Sequence, residues 1–177
     1  MKKLIINISL FFTFLIIYFL HSNFFSWFKI FGVMPNLFVI FILFISLYSN
    51  KVTGVTYGIT IGLLLDLFIG KKVGISAIMF GVVSVIGVIF DRNFSKENRF
   101  TLIVMVIVAT LAFEIGSYIL SYFIYQNYIQ IVPFIKILMV ECVYNALLTI
   151  LLYPLIQFVG NKIEEEYKGN KILTRYF

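Results

Sequence analysis

The chain has 177 residues, of which 62% are hydrophobic and only 12% are charged, and its mean hydropathy is +1.04. A soluble domain is about 45–50% apolar and about 25% charged, and a soluble fold of this size has too much surface to hide so much apolar side chain. The composition therefore excludes a water-soluble protein. It predicts a single integral membrane domain over residues 1–177, with no separate catalytic module.

Hydropathy divides the chain into six predicted membrane spans, so the expected fold class is an all-α membrane bundle. The first span follows two lysines and resembles a signal peptide, but no cleavage motif follows it, so we expect an uncleaved anchor. The second span is short, and Pro154 is expected to kink or end the last one. The six predicted spans cover about residues 4–20, 34–49, 52–69, 73–90, 100–124 and 132–159.

The positive charges predict the orientation of the bundle. With the N-terminus inside, ten Lys and Arg residues fall on the inner side and four on the outer side. This bias predicts that both termini are cytoplasmic, although the Lys71–Lys72 pair on the outer side opposes it. The net charge of +6 is explained by these loops and tails, so nucleic acid is not expected as a partner. The first outer loop is rich in Phe and contains Trp27, which is typical of a membrane interface.

Small residues recur along the third predicted span. They are four apart, which places them on one helix face, and this glycine stripe includes a carboxylate: Gly54, Gly58, Gly62, Asp66 and Gly70, followed by Gly74. The fourth span has a similar face with Gly74, Ala77, Gly81 and Ser84. Either the stripe serves helix packing alone or it also contacts a partner. Asp66 either reaches the interface, where it could pair with Lys71 or Lys72, or makes a structural or partner-binding polar contact inside the bundle.

The last two spans each carry one glutamate, Glu114 and Glu141, at similar predicted depth in the outer half of the bilayer. Glu141, Asn145 and Thr149 share one helix face, and Glu114 shares a face with Tyr118 and Ser121. The two polar faces predict either interhelical hydrogen bonds or a proton relay or cation site. If the carboxyl groups meet in a low dielectric, at least one is expected to hold a proton.

Other chemistry is not indicated. His21 is the single histidine and Cys142 the single cysteine, so neither a metal centre nor a disulfide is expected. No catalytic triad, phosphate-binding loop or cofactor motif is found. The acidic run from Ile163 to Tyr167 is typical of a solvated helix face or tail.

The second to fourth predicted spans contain an ordered set of motifs: Pro35-Asn36-Leu37, the glycines Gly54 and Gly58, the element Gly62-Leu63-Leu64-Leu65-Asp66, and then Gly70 and Gly74. This ordered set resembles the pattern of the rod shape-determining MreD family. The resemblance implies a non-enzymatic protein of the bacterial plasma membrane that acts in the cell-elongation machinery. It implies association with an MreC-like membrane protein, and work alongside a RodA-type glycosyltransferase, its transpeptidase and MreB-type filaments. It also implies a helix arrangement similar to that of the substrate-binding subunits of energy-coupling-factor transporters.

That similarity supplies an alternative function, a vitamin-binding transport subunit. Such subunits usually carry an alanine-x-x-x-alanine contact motif in their first span, whereas the first span of this chain contains no alanine. The residues therefore favour the shape-determining role.

Overall fold

The computed structural model describes residues 2–69, 74–94, 96, 98–126 and 130–169. Within these ranges the chain is helical, and its β-structure is limited to one isolated bridge between Ile30 and Val33. The helices are α1 (Lys2–Trp27, with a π-helical turn at Leu20–Phe24), α2 (Leu37–Tyr48), α3 (Lys51–Ile69), α4 (Ile75–Asn93), α5 (Arg99–Tyr125) and α6 (Ile131–Lys168). The predicted all-α class is confirmed.

Five of these helices, all except α2, are long and apolar enough to cross a membrane. The helix α2 has only 12 residues, which gives about 18 Å against the ~30 Å of a hydrocarbon core. The six-span count is therefore not confirmed by helix length. The cause is Pro35 and Asn36: Asn36 stands outside the helix with φ −95° and ψ 82°, and its side chain accepts a hydrogen bond from the Val39 amide. This cap starts α2 later than hydropathy predicts.

The short helix α2 is the centre of the molecule. All of its residues except Phe41 are buried, and it contacts α3, α4, α5 and α6. It also meets α1, where the Phe14 and Phe38 rings lie 6.0 Å apart. Because the surrounding helices shield it, α2 can be apolar on every side, as a fully enclosed helix is.

The two ends of the bundle are distinguished by their contacts. The proximal end, where the chain begins, holds the C-terminus of α2, the α4–α5 connection and the last turns of α6. There the Tyr167 hydroxyl donates to the Asn7 side chain, and the Lys168 ammonium group donates to the Leu47 carbonyl at 2.6 Å. The distal end holds the segment after α1, and there the Tyr144 hydroxyl donates to the Phe28 carbonyl at 2.9 Å.

The last helix, α6, does not end at Pro154: it is 38 residues long and runs through this proline to Lys168. Its final turns join a half-buried group of four charged residues at the proximal end. Lys96 lies 2.9 Å from Asp91 and 2.7 Å from Glu164, and Lys168 lies 2.7 Å from Asp91. The expectation that the acidic run is only a solvated face is therefore corrected: Glu165 is exposed, but Glu164 is part of an ion-pair network. We call Asp91, Lys96, Glu164 and Lys168 the proximal charge cluster.

Candidate functional site

The glycine stripe of α3 lies inside the chain's own bundle. Gly54, Gly58 and Gly62 are all buried. A methyl group added at Gly62 would come within 2.6 Å of both the Ala77 Cα and the Ser76 carbonyl oxygen of α4, and one added at Gly58 would come within 2.6 Å of the Phe80 carbonyl oxygen. Glycine is therefore needed at these positions, since the two backbones are too close for a side chain.

Gly54 has a different neighbour. A methyl group there would lie 2.9 Å from the Ser46 Cα of α2. The stripe thus serves two contacts, with α2 at its proximal end and with α4 along the rest of its length. The residues on both sides of these contacts belong to this chain, so the three buried glycines are not exposed to a partner.

Asp66 is buried, with 3% of its surface exposed, and its carboxylate faces the first turn of α4. One of its oxygens accepts from the Gly74 amide at 2.7 Å and from the Ala77 amide at 3.3 Å, and the other accepts from the Ser76 amide at 3.3 Å. The first amides of a helix lack partners within that helix and attract negative charge. Asp66 therefore caps α4 from the neighbouring helix and holds the α3–α4 hairpin closed.

The remaining predicted contact residues are Gly74, Pro35 and Gly70. Gly74 has φ +99°, a left-handed conformation that favours glycine, and it directly precedes α4. Pro35 is buried in the segment before α2. Gly70 lies outside the described residues, as do Lys71 and Lys72, the proposed ion-pair partners of Asp66.

The two predicted glutamates meet inside the bundle. Glu114 of α5 and Glu141 of α6 interact directly through their carboxyl groups, and the Asn36 side chain contacts both. Each lies about 15 Å along its helix from the distal end, which agrees with their expected similar depth. Glu141 is 5% exposed and Glu114 is partly buried, so the pair lies largely within the protein.

Asn145, fully buried and one turn after Glu141, connects this carboxyl pair to three helices. Its side-chain oxygen accepts from the Asn36 amide at 2.8 Å, and its side-chain nitrogen donates to the Thr110 hydroxyl at 3.0 Å. The backbone of Asn145 in turn accepts from the Thr149 hydroxyl at 2.7 Å. This network ties the start of α2 to α5 and α6, and such buried polar networks fix one packing arrangement when their members are satisfied.

A cavity of about 290 Å³ opens beside the carboxyl pair, between α1, α6 and the segment that precedes α2. Its walls include His21, Val33, Pro35, Asn36, Ile137 and Glu141. The cavity exists because α2 begins late: where the predicted second span would be helical, residues 34–36 are not helical and leave space beside the start of α2. Among the described residues, no group of three or more His, Cys, Asp or Glu side chains that could hold a metal is found.

Sequence reasoning found the two glutamates and Asn145 but missed Asn36 and Thr110, which complete the network. The signal for Asn36 was present, because Pro-Asn before an apolar run is typical of a helix start, and it marks a boundary inside the predicted second span. Thr110 gave no signal, since one threonine in an apolar helix is common. The proximal charge cluster was missed because its members are far apart in the sequence.

Comparison with known proteins agrees with the resemblance noted above. A family model described as rod shape-determining protein MreD matches residues 1–163. Neither the curated proteins nor the solved structures contain a significant match, so the expected likeness to transporter subunits stays a prediction. The match covers most of the chain and includes the Pro35-Asn36 helix start, the glycine stripe, Asp66 and the carboxyl pair. The chain therefore belongs to the MreD family, whose members act in determining the rod shape of bacteria.

Proposed function

We propose that the protein is a non-enzymatic membrane scaffold of the cell-elongation machinery, which supports lateral wall synthesis by holding other membrane proteins. The family membership carries this proposal. The fold agrees with it, because the polar groups described in the bundle interior are largely engaged in joining its helices. Its expected partners are an MreC-like membrane protein and, alongside it, the RodA-type glycosyltransferase, its transpeptidase and MreB-type filaments.

The chain is proposed to cross the plasma membrane six times, with both termini in the cytoplasm. The short helix α2 provides about 18 Å, and the four non-helical residues before it, 33–36, can add up to about 13 Å. Together they match the ~30 Å of hydrocarbon that a crossing requires. The bias of ten inner to four outer positive residues supports this orientation and makes the proximal end cytoplasmic.

The proposed contact surface for partners is the aromatic segment that follows α1 at the distal end. Trp27 is 89% exposed and Phe31 is 78% exposed, with Phe28 also exposed between them. Phe31 has a positive φ of 50° within a tight turn closed by the Ile30–Val33 bridge. Large aromatic side chains on a rigid turn supply contact area at low entropic cost. The buried glycine stripe supports this surface indirectly, by fixing the helices that carry it.

Site-specific photo-crosslinking in native membranes tests the surface. A photoreactive residue replaces Phe31, and a control replaces Leu151, which is 73% exposed on α6 and distant in the sequence from the aromatic turn. We expect the Phe31 position to capture an MreC-like membrane protein and the Leu151 position to capture none. Capture from both positions, or from neither, would contradict the proposed surface.

Depletion in a rod-shaped host tests the scaffold role itself. Cells that lose the protein should become round, and the intact chain should restore rods. Normal rods after complete depletion would contradict the role, whichever surface binds the partners.

A further inference from the structure

The cavity beside the carboxyl pair contains two acceptor atoms that no described residue satisfies. The Glu141 Oε1 and the His21 Nδ1 atoms are both buried from solvent and have no hydrogen-bond partner within the described chain. Both residues line the cavity. A buried polar atom without a partner is destabilising, and more so when it belongs to a charged group. An unsatisfied carboxyl oxygen inside a membrane bundle therefore points to a group that is supplied from outside the chain.

The surroundings of Glu141 specify the chemistry of that group. The Asn36 backbone amide already donates to the Asn145 side-chain oxygen, and the Asn145 side-chain nitrogen donates to Thr110. The Asn36 side chain contacts both glutamate carboxyl groups, yet the Glu141 Oε1 atom still has no partner within the described chain. No Lys or Arg is among the residues that line the cavity in the described chain. The neighbouring Glu114 adds a second carboxyl group. With one proton shared between the two carboxyl groups, the site keeps a negative charge and two unpartnered atoms, so it favours a hydrogen-bond donor that carries a positive charge.

We propose that this cavity binds a primary alkylammonium group. A compact ammonium has three donors, enough to serve the carboxyl oxygen and the imidazole nitrogen, and both atoms belong to residues that line the cavity. A guanidinium group suits the site less well, because it prefers both oxygens of one carboxylate and only one oxygen of Glu141 is unpartnered. The apolar residues Val33, Met34 and Ile137 on the walls fit a short methylene stem. The volume of about 290 Å³ is at the lower limit of small-molecule pockets, which suits such a group.

The same ammonium chemistry is offered by a free alkylamine or by the ethanolamine headgroup of a lipid. Thermal unfolding of the purified full chain, followed by far-UV circular dichroism, tests both sources. In detergent, n-butylammonium chloride should raise Tm above the value in sodium chloride at equal concentration. The expected rise is about 3–6 °C when the amine is at about ten times its Kd. Tetramethylammonium has the same charge but no N–H donor, and should give no rise.

Variants locate the effect in the cavity. Glu141→Gln should abolish the butylammonium shift, whereas Glu165→Gln, which removes an exposed carboxylate from the same helix, should retain it. If Glu141→Gln does not fold, Ile137→Phe provides a second test, since it fills the cavity without removing a polar atom. A shift that is absent in the native chain, is matched by tetramethylammonium or survives in both cavity variants would overturn the proposal.

A second arm identifies the source. In nanodiscs, Tm is compared between the native chain and Glu141→Gln. If the lipid headgroup is the ligand, this Tm difference should be larger in phosphatidylethanolamine than in phosphatidylglycerol. If only butylammonium acts, the source is a free amine; if neither acts, the site is refuted. The site is independent of the scaffold role, because a chain that fails to restore rods but retains the Glu141-dependent shift would leave it intact.

Discussion

Replacing Gly62 by alanine tests whether close backbone contact between α3 and α4 holds the bundle together. The added methyl group would meet the Ala77 Cα and the Ser76 carbonyl oxygen at 2.6 Å each, and the Ser76 carbonyl carbon at 2.7 Å. All three atoms belong to the backbone, so none can rotate away. The helices must separate by about 1 Å to restore van der Waals distance, which disturbs the Asp66 cap at the same crossing.

The magnitude follows from two opposing terms. Overpacking of this kind costs about 1–3 kcal/mol, while replacing glycine by alanine in a helix contributes about 1 kcal/mol of stabilisation. Gly62→Ala should therefore lower the free energy of unfolding by up to about 2 kcal/mol. The matched control is Gly81→Ala on α4, where the new methyl group meets only the flexible Ile59 side chain, at 3.2 Å. The gain in helix propensity is nearly unopposed at this position, so Gly81→Ala should leave the free energy of unfolding unchanged or raise it by up to about 1 kcal/mol.

Cys142 makes the assay straightforward. It is the single cysteine of the chain and is buried, so a thiol-reactive fluorogenic dye reports unfolding during a temperature ramp in detergent. The two variants should differ in Tm by about 2–10 °C, with Gly62→Ala the lower. A Gly62→Ala variant that melts at or above Gly81→Ala would refute the reasoning from backbone contact.

Three further substitutions should each be destabilising in the same dye assay. Asp66→Ala leaves the first amides of α4 without their acceptor and should cost about 2–3 kcal/mol, with Asp66→Asn intermediate; equal Tm for all three chains would contradict the capping role. Asn145→Ala removes two side-chain hydrogen bonds, which join α6 to the start of α2 and to α5, and should cost about 1–3 kcal/mol; an unchanged Tm would show that the network is not structural. Asp91→Asn breaks both ion pairs of that carboxylate with Lys96 and Lys168 and should lower Tm more at low salt than at high salt, whereas an effect independent of salt would exclude an electrostatic cause.

Local patterns in the sequence predicted most of the helices, because each apolar helix corresponds to one continuous segment of apolar residues. The stripe of small residues likewise indicated a close helix crossing, and Glu114 and Glu141 indicated a polar contact at one depth. The start of α2 was misplaced because hydropathy measures how apolar a segment is, and residues 34–36 are flanked by apolar neighbours. Only the backbone shows that the chain is not helical at Pro35 and Asn36, and the cavity follows from that local change.

Contacts between distant parts of the chain could not be predicted. Asp91 and Lys168 are 77 residues apart, and nothing in either neighbourhood indicates the other. The role of Asp66 was similarly open, since a carboxylate near a span end can face solvent, lysines or a helix terminus. The position of the α4 amides, which depends on the turn geometry at Gly74, decides between these environments.

The length of α6 has a mechanical consequence. This one helix carries Glu141 beside the cavity and Lys168 in the proximal charge cluster, and 27 residues separate the two positions, or about 40 Å along the axis. Lys168 also donates to the Leu47 carbonyl near the end of α2, while the Asn145 side chain accepts from the Asn36 amide at the start of the same short helix. A displacement of α6 along its axis would therefore strain the contacts at both ends of the central helix and move Glu141 in the wall of the cavity.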